Sequence, residues 1–187
     1  MPRNDQFELR GINHLALVCK DMARTVDFYT NVLGMPLVKT IELPVGMGQH
    51  FFFDCGGGDC LAFFWFPNAP EAQPGVSSAS VLPGRGDLAT AHASMNHVAF
   101  DVPVDEFDAY VQKLKDKGVA VSAVLNHDDS ESTVSREMHD GVFVRSVYFR
   151  DPDGVLLEFA CWTRQFGAED VGHAPANAKG ERVQLVG

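Results

Sequence analysis

Two histidines in repeated surroundings and one acid inside an apolar run are the residues of this chain best placed to do chemistry. Asn13-His14-Leu15-Ala16-Leu17 returns as Asn96-His97-Val98-Ala99-Phe100, so two imidazoles stand at the same place in two copies of one unit. Glu158 lies in Val155-Leu156-Leu157-Glu158-Phe159-Ala160, a run apolar enough to be buried on both faces. A carboxylate buried there is costly unless it meets a cation or several donors. Taken singly, a strand histidine is more often a hydrogen-bonded core residue, and a buried glutamate more often pairs with an arginine such as Arg145 or Arg150. Taken together, two histidines and one carboxylate with open positions beyond them form the facial set preferred by non-haem Fe(II) and tolerated by Mn(II), Co(II), Ni(II) or Zn(II). The expectation is a metal site made by His14, His97 and Glu158.

The elements that must position these residues repeat as well. After the first Asn-His, Asp21 is an N-cap for a helix over Met22–Leu33 with Val26, Tyr29 and Leu33 on its apolar stripe, and Gly34 stands where a left-handed C-cap belongs. After the second, Pro103 and Asp105 open a helix striped by Phe107, Tyr110, Val111 and Leu114 and closed by Gly118. Strand-like runs follow each helix: Leu37–Leu43, His50–Asp54 and Cys60–Phe66, then Val119–Leu125, Val142–Phe149 and Val155–Cys161. Gly56-Gly57-Gly58 and Asp151-Pro152-Asp153-Gly154 supply turns. The pattern predicts an α+β fold of two tandem βαβββ modules, over residues 10–66 and 95–162. A Pro- and Gly-rich linker over 67–94 joins them across the surface, and a polar tail follows over 163–187.

Composition limits the partners. The chain has 187 residues and 45% hydrophobic content, enough for a sizeable core. Its formal charge of −10 opposes binding to nucleic acid or to an anionic membrane. No apolar run approaches the roughly 20 residues of a membrane span, and Met1-Pro2-Arg3-Asn4-Asp5-Gln6 does not read as a signal peptide. Cys19, Cys55, Cys60 and Cys161 are scattered, which suits reduced thiols. A cytoplasmic protein with a small-molecule substrate is expected.

Three stretches carry a family resemblance: His14-Leu-Ala-Leu with Asp27-Phe-Tyr-Thr-Asn-Val-Leu-Gly34-Met; Asn96-His-Val-Ala-Phe; and Val147-Tyr-Phe-Arg-Asp-Pro-Asp-Gly-Val-Leu-Leu-Glu158-Phe. Over about residues 10–162 the chain resembles the vicinal oxygen chelate superfamily. That superfamily includes glyoxalase I, extradiol dioxygenases, methylmalonyl-CoA epimerase and the fosfomycin and bleomycin resistance proteins. The resemblance implies paired modules whose curved mixed sheets enclose a metal-bearing cavity, with ligands at His14, His97 and Glu158. A fourth ligand found in many relatives would fall at Phe63, where no donor exists. That departure favours the three-ligand pattern of the extradiol dioxygenases over a glyoxalase or epimerase.

The spacings from Tyr148 to Glu158 and from His139 to Tyr148 match the tyrosine and histidine of extradiol enzymes, which orient a chelated substrate. The family's first-module acid–base histidine would fall near Asp59 or Cys60, and His50, one strand earlier, is the substitute. The resemblance thus implies a single-domain extradiol-type dioxygenase using Fe(II) on an aromatic or enediol-like substrate, with Tyr148, His139 and His50 as catalytic groups. The alternatives are a glyoxalase- or epimerase-like enzyme working through a metal-stabilised enediolate, and a non-catalytic protein that sequesters a drug or metabolite. Relatives commonly dimerise, so a homodimer is expected. The aromatic run Cys60–Phe66 is expected to line the core or the cavity wall, and in the cavity it would suit an apolar, aromatic substrate.

Overall fold

A computed structural model describes residues 12–83, 85, 89–92, 94–167, 170, 174, 178–179 and 182. Much of the expected tail therefore lies outside the described residues. The two-module pattern is present. β1 (His14–Cys19), α1 (Met22–Asp27), β2 (Leu37–Glu42), β3 (Gln49–Gly56) and β4 (Asp59–Trp65) make the first module. β5 (Val98–Asp101), α2 (Phe107–Asp116), β6 (Leu125–His127), β7 (Val134–Ser135), β8 (Val144–Arg150) and β9 (Leu156–Trp162) make the second. The sheets run β1-β4-β3-β2 and β5-β9-β8-β6-β7. In each, the first strand of the module pairs in parallel with the last, and the other pairings are antiparallel.

Local chemistry sets the helix ends. Asp21 accepts the Arg24 backbone N–H at 3.1 Å, satisfying one of the donors that a helix start leaves unpaired. Past Asp27 the helix widens into a π-turn over Phe28–Val32, and Gly34 follows at φ 77°. The expected strand over Val119–Leu125 is shorter than its sequence suggests. Val121 makes a single bridge to Phe149, and regular pairing begins only at Leu125. Between them Ser122 donates its backbone N–H to Tyr148 O, while its side-chain oxygen accepts the Tyr148 N–H at 3.0 Å. A hydroxyl has taken the place of a ladder carbonyl, so the strand is interrupted.

Alternation gives each sheet a helix-facing side and an open side. Leu15, Leu17, Cys19, Leu61, Phe63 and Phe53 pack with Tyr29 of the first helical segment. The same core takes in Leu114, Phe149 and Leu157 of the second module. Tyr29 donates to Asp151 Oδ2 at 3.2 Å, and Lys117 Nζ donates to the Asn31 and Val32 carbonyls at the end of the first helix. The halves share one hydrophobic interior, which leaves the opposite faces of the sheets for the site.

The connection between modules does more than cross the surface. Ala79 is buried and packs with Leu82 on Tyr148 and Leu156, on the open face of the second sheet. Ser78 Oγ accepts the Leu156 N–H, and Arg150 donates to the Ala79 carbonyl.

Candidate metal centre

Each half presents an Asn–His unit of the same geometry. His14 Nδ1 lies 2.8 Å from Asn13 Oδ1, and His97 Nδ1 lies 2.9 Å from Asn96 Oδ1. The amide oxygen accepts the Nδ1 proton and so leaves the Nε2 lone pair free, the form in which imidazole binds metals. His97 Nε2 lies 3.0 Å from Glu158 Oε2, and Glu158 is only 5% exposed. Two electron-pair donors that close repel unless a proton or a cation lies between them. The donor set therefore fits a divalent metal on physical grounds. Neither arginine anticipated as a structural partner takes Glu158: Arg145 pairs with Asp108, and Arg150 binds the Gly154 and Ala79 carbonyls.

Tyr148 pairs with Glu158 across β8 and β9, and its ring meets His97 edge-on at 5.7 Å. Burial first, and then the Glu158 charge, pushes the phenol up to about 12, so Tyr148 stays a protonated donor at neutral pH. Burial acts to raise the Glu158 carboxyl. His97, when a proton rather than a metal lies on its Nε2, opposes it with help from the Tyr148 hydroxyl, and holds it below its ordinary value. Ser146 is the residue sequence reasoning missed. It is fully buried two places before Tyr148, and its Oγ, though turned to this group, has no hydrogen bond of good geometry. A lone serine in a β-strand carries no signal; only the alternation from Tyr148 could have suggested it.

Strand register gives each of these residues a counterpart in the first module. Ala99 faces Glu158 as Ala16 faces Ala62, Tyr148 faces Glu158 as Phe52 faces Ala62, and Ser146 faces Ala160 as His50 faces Phe64. The position corresponding to Glu158 is thus Ala62 and not Phe63, whose side chain belongs to the core. The reason is parity, because a one-residue slip moves a strand side chain to the other face. Neither Ala62 nor Phe63 carries a donor atom on its side chain. Where the second module has an acid and a phenol, the first has Ala62 and Phe52.

His50 lies on the same face as His14, and both rings contact Phe52. It stacks on Phe64 with centroids 3.6 Å apart, and its Nε2 is buried with no hydrogen-bond partner. Burial, then the neighbouring His14, lowers its pKa, which keeps a neutral imidazole available. The structure therefore brings together His97, Glu158 and Tyr148, and separately His14 and His50. Among the described residues no three His, Cys, Asp or Glu side chains gather as a metal site within the chain. His139 is engaged elsewhere: Nε2 bonds Asp128 at 3.0 Å, and Nδ1 accepts the Gly141 N–H. Both ring nitrogens are used in closing a loop.

The chain is similar in sequence or fold to several known proteins. The metallothiol transferase FosB of Shouchella clausii is 26% identical over 150 residues, covering 80% of this chain and 79% of the relative. The 4-hydroxyphenylpyruvate dioxygenase of Daucus carota is 24% identical over 161 residues, 83% of this chain but 36% of that protein. The fosfomycin resistance protein FosX of Listeria monocytogenes, complexed with Mn(II) and sulfate ion, shares the fold at TM-score 0.52 and 20% identity, covering 83% of this chain and 94% of its own. A family model for the Glyoxalase/Bleomycin resistance protein/Dioxygenase superfamily matches residues 11–159. With the repeated module, the paired Asn–His units and this match in hand, the chain belongs to that superfamily.

Proposed function

We propose that this protein is a metal-dependent enzyme resembling an extradiol-type dioxygenase, acting on a small aromatic or enediol-like substrate. His14, His97 and Glu158 are its metal ligands, and Fe(II) is the favoured ion, with Mn(II), Ni(II), Co(II) or Zn(II) acceptable to the same donors. The observation that carries this reading is the approach of His97 Nε2 to Glu158 Oε2 at 3.0 Å with Nδ1 already held by Asn96. His14, His97 and Glu158 would hold a divalent ion, which when bound would supply Lewis acidity to vicinal substrate oxygens.

The chain's own groups do the rest. Asn13 and Asn96 fix the imidazole tautomers. Tyr148, held protonated by burial, donates a hydrogen bond to a substrate oxygen. His50, with Nε2 unpartnered, accepts or returns the substrate proton. His139 joins them only if its contact with Asp128 opens. Because His14 accompanies His50 and not Glu158, the full ligand set needs the two open faces to meet, and a homodimer provides that. A lyase, isomerase or thiol-transfer reaction is the second reading; the likeness to metallothiol transferases favours it.

The test is metal analysis of anaerobically purified protein, followed by oxygen uptake with catechols. Bound iron and ring cleavage are expected. Glu158→Gln should lose most of the metal, whereas Tyr148→Phe should keep it and turn over at least tenfold more slowly. Metal content unchanged in Glu158→Gln would refute the ligand assignment. Iron that is silent with catechols, beside a Ni or Mn form that adds thiols to an electrophile, would favour the second reading.

A further inference from the structure

The open face of the first module continues past the candidate ligands as a ladder of rings. His50 stacks on Phe64 at 12°, and Phe64 lies parallel to Phe66 at 5.2 Å and 10°. Val18 is the register partner of Phe64 on β1. Val18 and Phe66 then form part of a cleft of about 590 Å³, walled also by Met47, Pro67, Ala69 and Pro70, where Asn68 supplies the one polar lining side chain among the described residues.

The rim of this cleft is built into the backbone. At Gly48, with φ 135°, an added Cβ would lie 1.9 Å from the Trp65 carbonyl oxygen. Only glycine lets the β2–β3 loop approach β4 so closely, and that approach carries Met47 to the cleft. Val18 and Met47 are 51% and 58% exposed, and apolar surface of this kind is costly unless something covers it.

We infer that this cleft is a subsite for an apolar aryl or alkyl arm on the chelated substrate. The inference rests on the metal-site reading above and deepens it. Val18 lies four residues along β1 from His14, roughly 13 Å at strand spacing, so the ligand has a vicinal-oxygen head and an arm on the order of 10 Å. Continuity selects this occupant, because the parallel rings of Phe64 and Phe66 lead from His50 into the cleft with no charged side chain among them.

Two titrations test it. Mn(II)-loaded protein is titrated with catechol and its 4-ethyl, 4-butyl and 4-hexyl derivatives, and metal-free protein with the neutral dye N-phenyl-1-naphthylamine. Affinity should rise by about fourfold per methylene as the arm is buried. Val18→Asp and Met47→Asp should flatten that rise, leave catechol itself unchanged, and weaken the dye at least tenfold. A chain-length rise equal in wild type and both variants, or no rise at all, overturns the subsite. Variants that change sedimentation while leaving dye binding and the rise intact would assign the cleft to a second copy of the chain, which also overturns it. Dye binding lost in the variants when no catechol binds any form would keep the apolar subsite and remove the chelate reading.

Discussion

At the residue scale, the side chains beside the candidate ligands should control metal affinity without touching the metal. Asn96 holds His97 Nδ1 and so decides which nitrogen carries the lone pair. Groups in that position typically contribute 10–100-fold in affinity. Asn96→Ala is expected to raise the Mn(II) dissociation constant by about tenfold or more, measured by titration calorimetry, with little change in unfolding midpoint. Ser146 makes a sharper case. A buried hydroxyl with no partner costs about 1–3 kcal/mol, so Ser146→Ala should leave the metal-free protein as stable or more stable. If the hydroxyl is a donor to Glu158 once a cation draws that carboxylate off His97, the same variant should bind Mn(II) more weakly. A Ser146→Ala protein that is less stable when metal-free but unchanged in affinity would show that the serine is simply part of the packing.

At the scale of elements, the βαβββ unit was legible because its signals agree with one another. Asp21 caps, Tyr29 and Phe107 anchor apolar stripes, and glycines mark the hairpin between β3 and β4. The strand expected at Val119–Leu125 was overestimated because β propensity does not reveal that Ser122 offers its side chain to Tyr148. Phe63 was assigned to the wrong face because only pairing register fixes parity. Among the described glycines, Gly48 is the one where an added Cβ would meet backbone closer than 3.0 Å. Gly48→Ala would drive a methyl into the Trp65 carbonyl, and a loss of several kcal/mol is expected from the clash and the unfavourable φ together. Chemical denaturation checks this against Gly46→Ala, which shares the left-handed strain at φ 69° but meets nothing within 4 Å, so that the larger loss at Gly48 reports the clash.

At the scale of the molecule, Asp151 ties the halves together and makes the tie sensitive to pH. It is buried at the inter-module contact with Tyr29, and burial raises its pKa to about 6 despite backbone N–H donors from Val155 and Asp153. The folded protein thus holds this proton more tightly than the unfolded chain does. Its contribution to stability is full below about pH 4, falls as pH rises, and is gone above about 6, a difference on the order of 3 kcal/mol. Asp151→Asn keeps an acceptor oxygen and removes the titration. Denaturant midpoints of wild type and variant should diverge between pH 4 and 6, with wild type losing more. Parallel curves across that window would count against Asp151 as the titrating group.

The sequence by itself determined the repeat and the α+β module and named candidate residues for the site, since periodicity, capping and the doubled Asn–His unit are local and survive without neighbours. Tertiary structure decided who meets whom. It placed Glu158 on His97 rather than on an arginine, gave His14 to His50, and engaged both nitrogens of His139 away from the site. It also left Ser146 Oγ unpartnered beside Glu158 and laid Ala79 over Tyr148. The reason is physical: strand spacing in sequence says nothing about register or about which open face another segment covers. Those are settled only when the shared core around Tyr29, Phe53, Phe149 and Leu157 closes.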